Sequence, residues 1–265
     1  MKYCFNYNKN TEHMQYINEA NEWTIKYNSK DTTLLDFLDL HKDKRINIYV
    51  SGEEALTTPI SLFEELCKKY NNIYLKLDMK YFYKKDKKYN FKFFFDELVN
   101  DWDVLIGLLK YGVTDIYIVE NLGFELDKVA EIAAQYNAQV RVYPNVAQSK
   151  FETTPPLKKF FIRPEDIKAY EEYIDILEFF DADTQLDTYY KIYAIDKKWF
   201  GKLNEIIKNF NFDIDNKYII PRFGEKRRVC NKKCLKGGIC SRCDNIEELA
   251  KTLEQSKMII WNDEK

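Results

Sequence analysis

The sequence predicts an α/β fold of the TIM-barrel type, (β/α)8, for three reasons. From residue 45 onward, short runs of β-branched and aromatic residues alternate with segments of helical period, which is typical of βα units and a largely parallel sheet. These runs number about eight, as a closed (β/α) barrel requires. A chain of 265 residues is also long enough to bury one such core. The barrel is expected to span residues 1–224, incomplete or decorated in places, with a cysteine metal-binding loop and tail at 225–265.

The elements follow one another along the chain. An amphipathic helix is expected before residue 45. The segment after the first strand of the series places Leu62, Phe63, Leu66 and Cys67 on one helical face. Gly112 is at the position where a helix over 102–111 should end. Helices are also expected over 125–137, from Pro164 onward and over 198–210. The predicted strands are 45–52, 72–78, 91–97, 113–121, 138–145, a short run before Pro164, 174–180, 189–196 and 217–224.

Two questions of architecture stay open at this point. An open doubly wound sheet is the competing arrangement, but it usually has a Gly-rich phosphate-binding turn after its first strand. This chain has eight glycines, and none forms the G-x-G-x-x-G pattern. The first 44 residues contain two candidate strands, in "YCFNYN" and "EWTIKYN", and a candidate helix over 11–21. They would either cap the barrel or supply its first βα unit.

The composition excludes several classes of protein. Hydrophobic residues make up 45% of the chain and charged residues 32%, so we expect a globular protein. Neither a secretory signal nor an apolar run long enough for a membrane span occurs, so we expect it to be cytoplasmic. The only two histidines, His13 and His41, argue against a Ser-His-Asp or Cys-His catalytic relay. Abundant Lys, Asn, Tyr and Phe indicate an AT-rich genome, such as that of a virus.

A group of cysteines near the end of the chain predicts a metal centre. Cys230, Cys234, Cys240 and Cys243 have the spacing C-x3-C-x5-C-x2-C, with two glycines between the pairs. Cytoplasmic thiols stay reduced, so such a group is expected to bind metal and not to form disulfides. Zn²⁺ and a [4Fe-4S] cluster both accept four thiolates, and the spacing leaves the choice undecided. The two other cysteines, Cys4 and Cys67, are expected to be small buried apolar residues.

The cysteine group is also strongly basic, with seven lysines and arginines between residues 225 and 243. These charges would partly neutralise a four-thiolate metal site. They would alternatively bind the phosphates of a nucleic acid. Both interpretations stay open.

Polar residues at the predicted strand ends are the candidates for catalysis, because the active site of a TIM barrel lies at the C-terminal ends of its strands. Five are selected as candidate catalytic residues: Glu120, Asn145, Arg163, Glu178 and Arg222. Arg163 is suited to bidentate binding of a carboxylate or phosphate. No cofactor-binding residue besides the cysteines is predicted.

Other charged residues have structural explanations. Glu165 and Asp166 follow Pro164 and would stabilise the first turn of a helix without taking part in chemistry. Arg141 lies within a predicted strand and is expected to pair with Glu120 or Glu178 inside the barrel.

Three runs, "GVTDIYIVE", "VRVYPNVAQS" and "RPEDIKAYEEYIDILEF", together with the late cysteines, resemble the collagenase-like peptidase family over residues 102–243. Many members of that family are iron–sulfur barrel proteins that hydroxylate RNA bases or a quinone precursor. The resemblance implies a cluster facing a barrel mouth that binds a small anionic cosubstrate, with Arg163 or Arg222 as the counter-charge. The cysteines here form one compact group, whereas those of the family are more widely spread, which keeps zinc open.

Two functional hypotheses follow. In the first, the chain is a metal-centred barrel enzyme that modifies a nucleotide, an RNA base or a small anionic metabolite. In the second, zinc only stabilises the C-terminal segment, and the barrel is a non-catalytic module that binds a protein or nucleic-acid partner. Neither involves a membrane, and the oligomeric state is not predicted.

Overall fold

The computed structural model describes residues 1–7, 19–84, 87–148, 154–179, 185–228, 230 and 240–257, apart from the side chains of Glu53, Glu120 and Asn121. These residues form nine strands. The strands are β1 (Lys2–Asn6), β2 (Glu22–Lys26), β3 (Arg45–Val50), β4 (Ile73–Leu77), β5 (Phe93–Phe95), β6 (Leu98–Val99), β7 (Asp115–Ile118), β8 (Gln139–Val142) and β9 (Ile176–Glu178).

The described strands belong to one parallel sheet in the order β5-β4-β3-β2-β1-β9-β8-β7-β6. β5 and β6 are at opposite ends of this order, yet only Asp96 and Glu97 separate them in the chain. The backbone N–H of Thr114, directly before β7, also donates a hydrogen bond to the carbonyl of Phe93 in β5 (2.8 Å). The sheet is therefore strongly curled, and the α/β fold is compatible with the TIM-barrel-like fold that the sequence predicts.

The helices lie mostly between the strands, as expected of βα units. In the described part of the chain they are α1 (Leu34–Leu40), α2 (Gly52–Thr57), α3 (Ile60–Lys69), α4 (Met79–Phe82), α5 (Trp102–Tyr111), α6 (Glu120–Gly123), α7 (Leu126–Gln135), α8 (Leu186–Tyr190), α9 (Phe223–Arg228) and α10 (Arg242–Ser256). Gly112 ends α5 in the left-handed conformation with φ of 93°, which confirms its predicted role.

The N-terminal segment supplies two strands of the sheet. β1 and β2 pair with each other, and β1 also pairs with β9, where Cys4 is opposite Glu178. This segment is therefore part of the sheet and not only a cap. The helix predicted over 11–21 lies mostly outside the described residues. Six later strand predictions, at 45–52, 72–78, 91–97, 113–121, 138–145 and 174–180, are confirmed by β3, β4, β5, β7, β8 and β9.

The strand predicted at 189–196 is wrong. This run is the end of α8 followed by a π-helical turn, Lys191–Ile195. The buried side chains of Leu186, Tyr189 and Tyr193 are three or four residues apart, which is the spacing of one helical face. Tyrosine and isoleucine gave the run the composition of a strand, but burial follows the helical period.

Two other predicted strands and one predicted helix are also wrong. Over 217–224, Asp215 caps a 3-10 turn by accepting a hydrogen bond from the Lys217 N–H (3.0 Å), and Pro221 has no N–H for a ladder. Before Pro164 the structure has only one antiparallel bridge, between Phe160 and Gln148. Over 198–210 the chain forms the 3-10 turn Leu203–Glu205 and isolated bridges at Lys202 and Lys208 in place of a helix, and the φ values of Gly201 and Asn209 are positive, 147° and 59°.

The segments after β9 pack around the loop that precedes it. α9 contacts the 3-10 helix Pro164–Ala169, and α10 contacts the 3-10 turns Pro156–Lys158 and Asn216–Tyr218. The predicted division of the chain at residue 225 stays a prediction.

The contact between α9 and the Pro164–Ala169 helix leaves no room for a side chain at Gly224. A Cβ there would lie 2.6 Å from the Cβ of Asp166 and 3.0 Å from Cε2 of Tyr170. We expect Gly224→Ala to lower the free energy of unfolding by about 1–3 kcal/mol through overpacking. Gly107→Ala in α5 is the matched control, since nothing lies within 4 Å of its added Cβ. That change should raise the free energy of unfolding by about 0.5–1 kcal/mol. Equal effects of the two changes in urea unfolding would contradict the packing argument.

The two faces of the curled sheet differ in chemistry. Ile46, Ile48 and Val50 of β3 are buried and apolar, and they alternate with Arg45, Asn47 and Tyr49. Lys76 of β4 lies 3.0 Å from Glu178 of β9, although β3, β2 and β1 separate these strands in the sheet. Such a contact requires that the polar residues face the concave side. The interior is thus filled with polar side chains, where most TIM barrels have layers of Val, Ile and Leu.

Candidate functional site

Near the strand starts, the interior holds a buried ion-pair network of Glu22, Arg45, Asp115 and Arg141, which we call the strand-start network. Arg141 donates to Asp115 (2.7 Å) and contacts Glu22, and Arg45 donates to the other oxygen of Asp115 (2.6 Å). Glu22, Asp115 and Arg141 are each at most 1% exposed. Each charge in this network has an opposite partner, so its role is structural.

Nearer the strand ends lies a second group, Tyr49, Lys76, Asp96, Tyr143 and Glu178, which we call the strand-end cluster. The Lys76 ammonium is at its centre, 2.8 Å from the Tyr143 hydroxyl, 3.0 Å from Glu178 and 3.1 Å from Asp96. Each of the three N–H groups of the ammonium therefore has an oxygen acceptor. The Lys76 side chain is 5% exposed, whereas that of Asp96 is 26% exposed. Asp96 is thus the member of this ammonium's shell that a ligand can reach.

The local sequence explains how these side chains meet. In β4, Leu75 and Leu77 are buried on the apolar face, so Lys76 between them points to the concave side. Asp96 lies in the break between β5 and β6, and Tyr143 directly follows β8. All three are therefore near the carboxyl ends of parallel strands, which meet at one edge of the sheet.

The environment of this cluster shifts the pKa values of Lys76 and Tyr49. Burial opposes the charged form of Lys76, but Glu178, Tyr143 and Asp96 outweigh burial and raise the pKa of Lys76 well above its usual value. Lys76 is therefore a fixed cation and not a general base at neutral pH. Burial, together with the neighbouring carboxylate of Asp96, raises the pKa of Tyr49 to about 12, so this phenol stays protonated.

Asp96 is the most accessible carboxylate of the interior. Among the described residues, Arg45, Lys76 and Arg141 pair with Glu22, Asp96, Asp115 and Glu178, and the half-exposed Lys2 lies 3.9 Å from Glu22. The side chain of Asp96 is 26% exposed, whereas those of the other three carboxylates are at most 1% exposed. Asp96 is suited to accept hydrogen bonds from a ligand and not to bind an anion directly.

A cavity of about 920 Å³ opens beside this cluster, over the carboxyl ends of β2 and β3. The residues that line it include Tyr27 and Phe37, the basic Lys26 and Lys30, the acidic Asp31, Asp36 and Glu54, and Ser51. Burial is the main influence on the pKa of Tyr49, and Ser51 is close enough to affect it, so the cavity lies beside the strand-end cluster. The volume is in the range of sites for nucleotide-sized ligands.

Acid is expected to weaken the fold through the buried carboxylates. Burial alone would raise the pKa of Glu178, but Lys76 and Arg141 hold it below its usual 4.5. Burial is likewise outweighed at Asp115, where Arg141 and Arg45 hold the pKa below its usual 3.8. Because these pKa values are lower in the folded than in the unfolded chain, the stabilisation is complete above about pH 5 and is lost as pH falls below about 4. Urea unfolding across this pH range should show a decline in the free energy of unfolding. In Glu178→Gln this free energy should fall less steeply as pH decreases. An equally steep fall in that variant would contradict the lowered pKa of Glu178.

Of the predicted catalytic residues, the structure places Glu178 in the strand-end cluster. Arg141 pairs with Glu178 (3.0 Å), which confirms the expected pairing inside the sheet. Asn145 is fully buried in the turn after β8, and its backbone carbonyl accepts a hydrogen bond from Lys208.

The other predicted residues lie elsewhere. Arg163 is fully buried and donates to both oxygens of Asp166 (2.6 and 3.0 Å) and to Asn216 (3.1 Å), so its guanidinium is occupied by protein partners. Arg222 is exposed in the turn before α9. Glu120 begins α6, and its side chain lies outside the described residues. Of the four predicted residues whose side chains the structure describes, Glu178 alone belongs to the strand-end cluster.

The cysteine group is only partly described. Cys230 follows α9, and Cys240 and Cys243 flank the start of α10, whereas Cys234 lies outside the described residues. These three described cysteines are free thiols. Within the described part of the chain, no three His, Cys, Asp or Glu side chains are placed to hold a metal ion. Reduced thiols suit both zinc and iron–sulfur chemistry, so the donor type fits the predicted centre, which stays a prediction.

Sequence reasoning missed Lys76, Asp96 and Tyr143. A signal was present, since a lysine between two leucines in a buried strand is unusual where parallel strands are expected to be continuously apolar. Cys4 is buried as expected, but it lies on the polar face, within 3.4 Å of the Thr24 hydroxyl.

Comparison with known proteins gave no match among family models, curated proteins or solved structures. Among the described helices, none combines the length and the apolar character that crossing a bilayer requires.

Proposed function

We propose that this chain is a cytoplasmic, metal-centred enzyme with a closed (β/α)8 barrel, in which β5 and β6 act as one interrupted strand. Its substrate would carry a nucleobase, as a nucleotide or an RNA base does. One observation carries the proposal: a nucleotide-sized cavity at the strand ends is lined by Ser51, which is close to Tyr49, and Tyr49 is close to the partly exposed carboxylate of Asp96.

The cavity has groups for each part of such a substrate. Tyr27 and Phe37 offer aromatic surface for a base, and Lys26 and Lys30 offer ammonium groups for phosphate oxygens. Asp96, 3.1 Å from the Lys76 ammonium, would accept hydrogen bonds from amino or ring N–H groups. A small anionic metabolite without such donors fits Asp96 less well.

The metal would be held by Cys230, Cys234, Cys240 and Cys243. A [4Fe-4S] cluster held by all four thiolates would supply electron transfer, whereas zinc with four thiolates would be closed and structural. The resemblance to iron–sulfur hydroxylases supports the first choice, and the compact cysteine spacing supports the second.

The substrate part of the proposal is tested by isothermal titration with AMP and UMP. Phe37→Ala and Lys26→Met should each weaken binding about tenfold, which corresponds to one lost stacking or phosphate contact. Phe200→Ala, which removes a 74% exposed ring elsewhere, is the matched control and should have no effect. Absence of nucleotide binding, or equal effects of Phe37→Ala and the control, would refute this substrate class.

The metal part is tested separately by anaerobic purification with absorbance spectra and metal analysis. Iron, sulfide and broad absorbance near ~400 nm support the enzyme. Stoichiometric zinc in a colourless protein supports the alternative, a non-catalytic zinc-stabilised binding module. Cys240→Ser should abolish metal binding in both cases, and Cys67→Ser should not.

A further inference from the structure

We propose that the connection between β4 and β5 is a docking surface for single-stranded nucleic acid. The described residues of this connection, 79–84 and 87–92, are called here the lysine–aromatic strap. From residue 79 to 95 the sequence contains six lysines and one aspartate, interleaved with eight tyrosines and phenylalanines. Over the whole chain, by contrast, acidic residues slightly outnumber basic ones, 43 to 41. The basic charge is therefore concentrated locally.

The strap crosses the outer face of the sheet. After the short helix α4 at the end of β4, the chain returns toward the start of β5, where Lys92 donates to the backbone carbonyl of Asn71 (2.9 Å). On the way, the hydroxyl of Tyr111 in α5 donates to the carbonyl of Lys84 (3.1 Å). The strap is thus fastened at two points and occupies the place of a long βα helix.

The aromatic rings of the strap pack against one another and against rings of β5 and α5. The Tyr89 ring stacks on Phe91 with centroids 5.0 Å apart and meets Phe93 edge-on at the same distance. The Tyr83 ring contacts Phe95 and Tyr111 at 5.9 and 5.1 Å, yet Tyr83 is 39% exposed. An exposed ring held against buried rings is already ordered, so stacking with a base would require little further ordering.

The lysines around these rings are available to a partner. Lys80, Lys84 and Lys88 are exposed, and so is Lys92, whose ammonium has two N–H groups besides the one bonded to Asn71. No described lysine of the strap forms an ion pair with a described carboxylate. Ammonium groups that track phosphates beside aromatic rings that stack on bases are the two components of single-strand binding. Duplexes keep their bases stacked inside and would use only the lysines.

The test measures binding of a short labelled single-stranded RNA of mixed sequence by fluorescence anisotropy. If four lysines contact phosphates, affinity should fall roughly fifty-fold between about 50 and 200 mM salt. Lys84→Glu combined with Lys88→Glu should weaken binding at least about tenfold and flatten this salt dependence. Tyr83→Ala should weaken binding about fivefold or more and leave the salt dependence unchanged. Lys128→Glu with Lys168→Glu, the same charge change at other exposed lysines, is the control.

Three results would overturn the inference: no salt-dependent RNA binding, equal losses in the strap and control variants, or duplex RNA bound as tightly as single strands. Binding of anionic phosphatidylserine vesicles in place of RNA would also overturn it and would assign the strap to a membrane surface. The inference does not rest on the proposed reaction. Lys26→Met should keep full RNA affinity even though it weakens nucleotide binding in the cavity.

Discussion

Arg141→Met is expected to lower the free energy of unfolding by about 3–5 kcal/mol, a large share of the roughly 5–15 kcal/mol typical of a folded domain. Arg141 is fully buried and contacts the carboxylates of Glu22, Asp115 and Glu178. Methionine fills similar space but leaves these carboxylates short of a positive charge away from water. The loss therefore comes from uncompensated charge and not from a cavity.

Urea unfolding followed by circular dichroism measures this loss. Lys128→Met on the exposed side of α7 is the control, and its free energy of unfolding should change by less than about 0.5 kcal/mol. Arg141→Lys should also be destabilised, because an ammonium lacks the planar fork that reaches three carboxylates at once. A loss below about 1 kcal/mol in Arg141→Met would show that the network is not needed for stability.

Lys76→Met should lower the free energy of unfolding by about 3 kcal/mol, the lower end of the range for a broken buried ion pair. The effect should be smaller than at Arg141 because Asp96 is partly exposed and can be hydrated, while Glu178 keeps its bonds to Arg141 and Tyr117. The same change would also remove the cation that, with Arg141, outweighs burial and holds the pKa of Glu178 below its usual value.

A double-mutant cycle isolates the Lys76–Glu178 pair. Because the Lys76 ammonium lies 3.0 Å from the Glu178 carboxylate, the two changes should not be additive. The double variant Lys76→Met/Glu178→Gln should lose about 1–3 kcal/mol less free energy of unfolding than the sum of the losses in the single variants. A cycle between Lys76→Met and the distant Gly107→Ala should be additive within about 0.5 kcal/mol. Additivity in the first cycle would contradict the assignment of the ammonium to Glu178.

Much of the sheet could be predicted from the sequence because its strands are short apolar runs bounded by helices of clear period. β3, β4, β7 and β8 all follow this rule. The predictions at 189–196 and 217–224 were wrong because aromatic composition was taken as evidence for a strand. Whether Tyr189 and Tyr193 share a helical face depends on what packs against them, and composition does not contain that information.

The candidate site was predicted less well. Glu178 was identified because it ends an apolar run, but Lys76 and Asp96 become neighbours only when the sheet curls and places β4 opposite β9. Arg163 was selected on the same kind of evidence, its position after an apolar run. In the structure its guanidinium is paired with Asp166, only three residues later. Sequence position alone does not distinguish a side chain that is available to a ligand from one that is already paired within the protein.

The pairing of β1 with β9 affects how the chain folds during its synthesis. Residues 2–4 leave the ribosome well before their partners, residues 176–178, which lie 174 positions further along the chain (176 − 2). Until then one edge of the N-terminal strand is unpaired and Glu22 lacks Arg141. Contacts between such distant parts of a chain slow folding and leave nascent edges open to association. Production of the full-length protein should therefore depend on chaperones that shield this edge during translation.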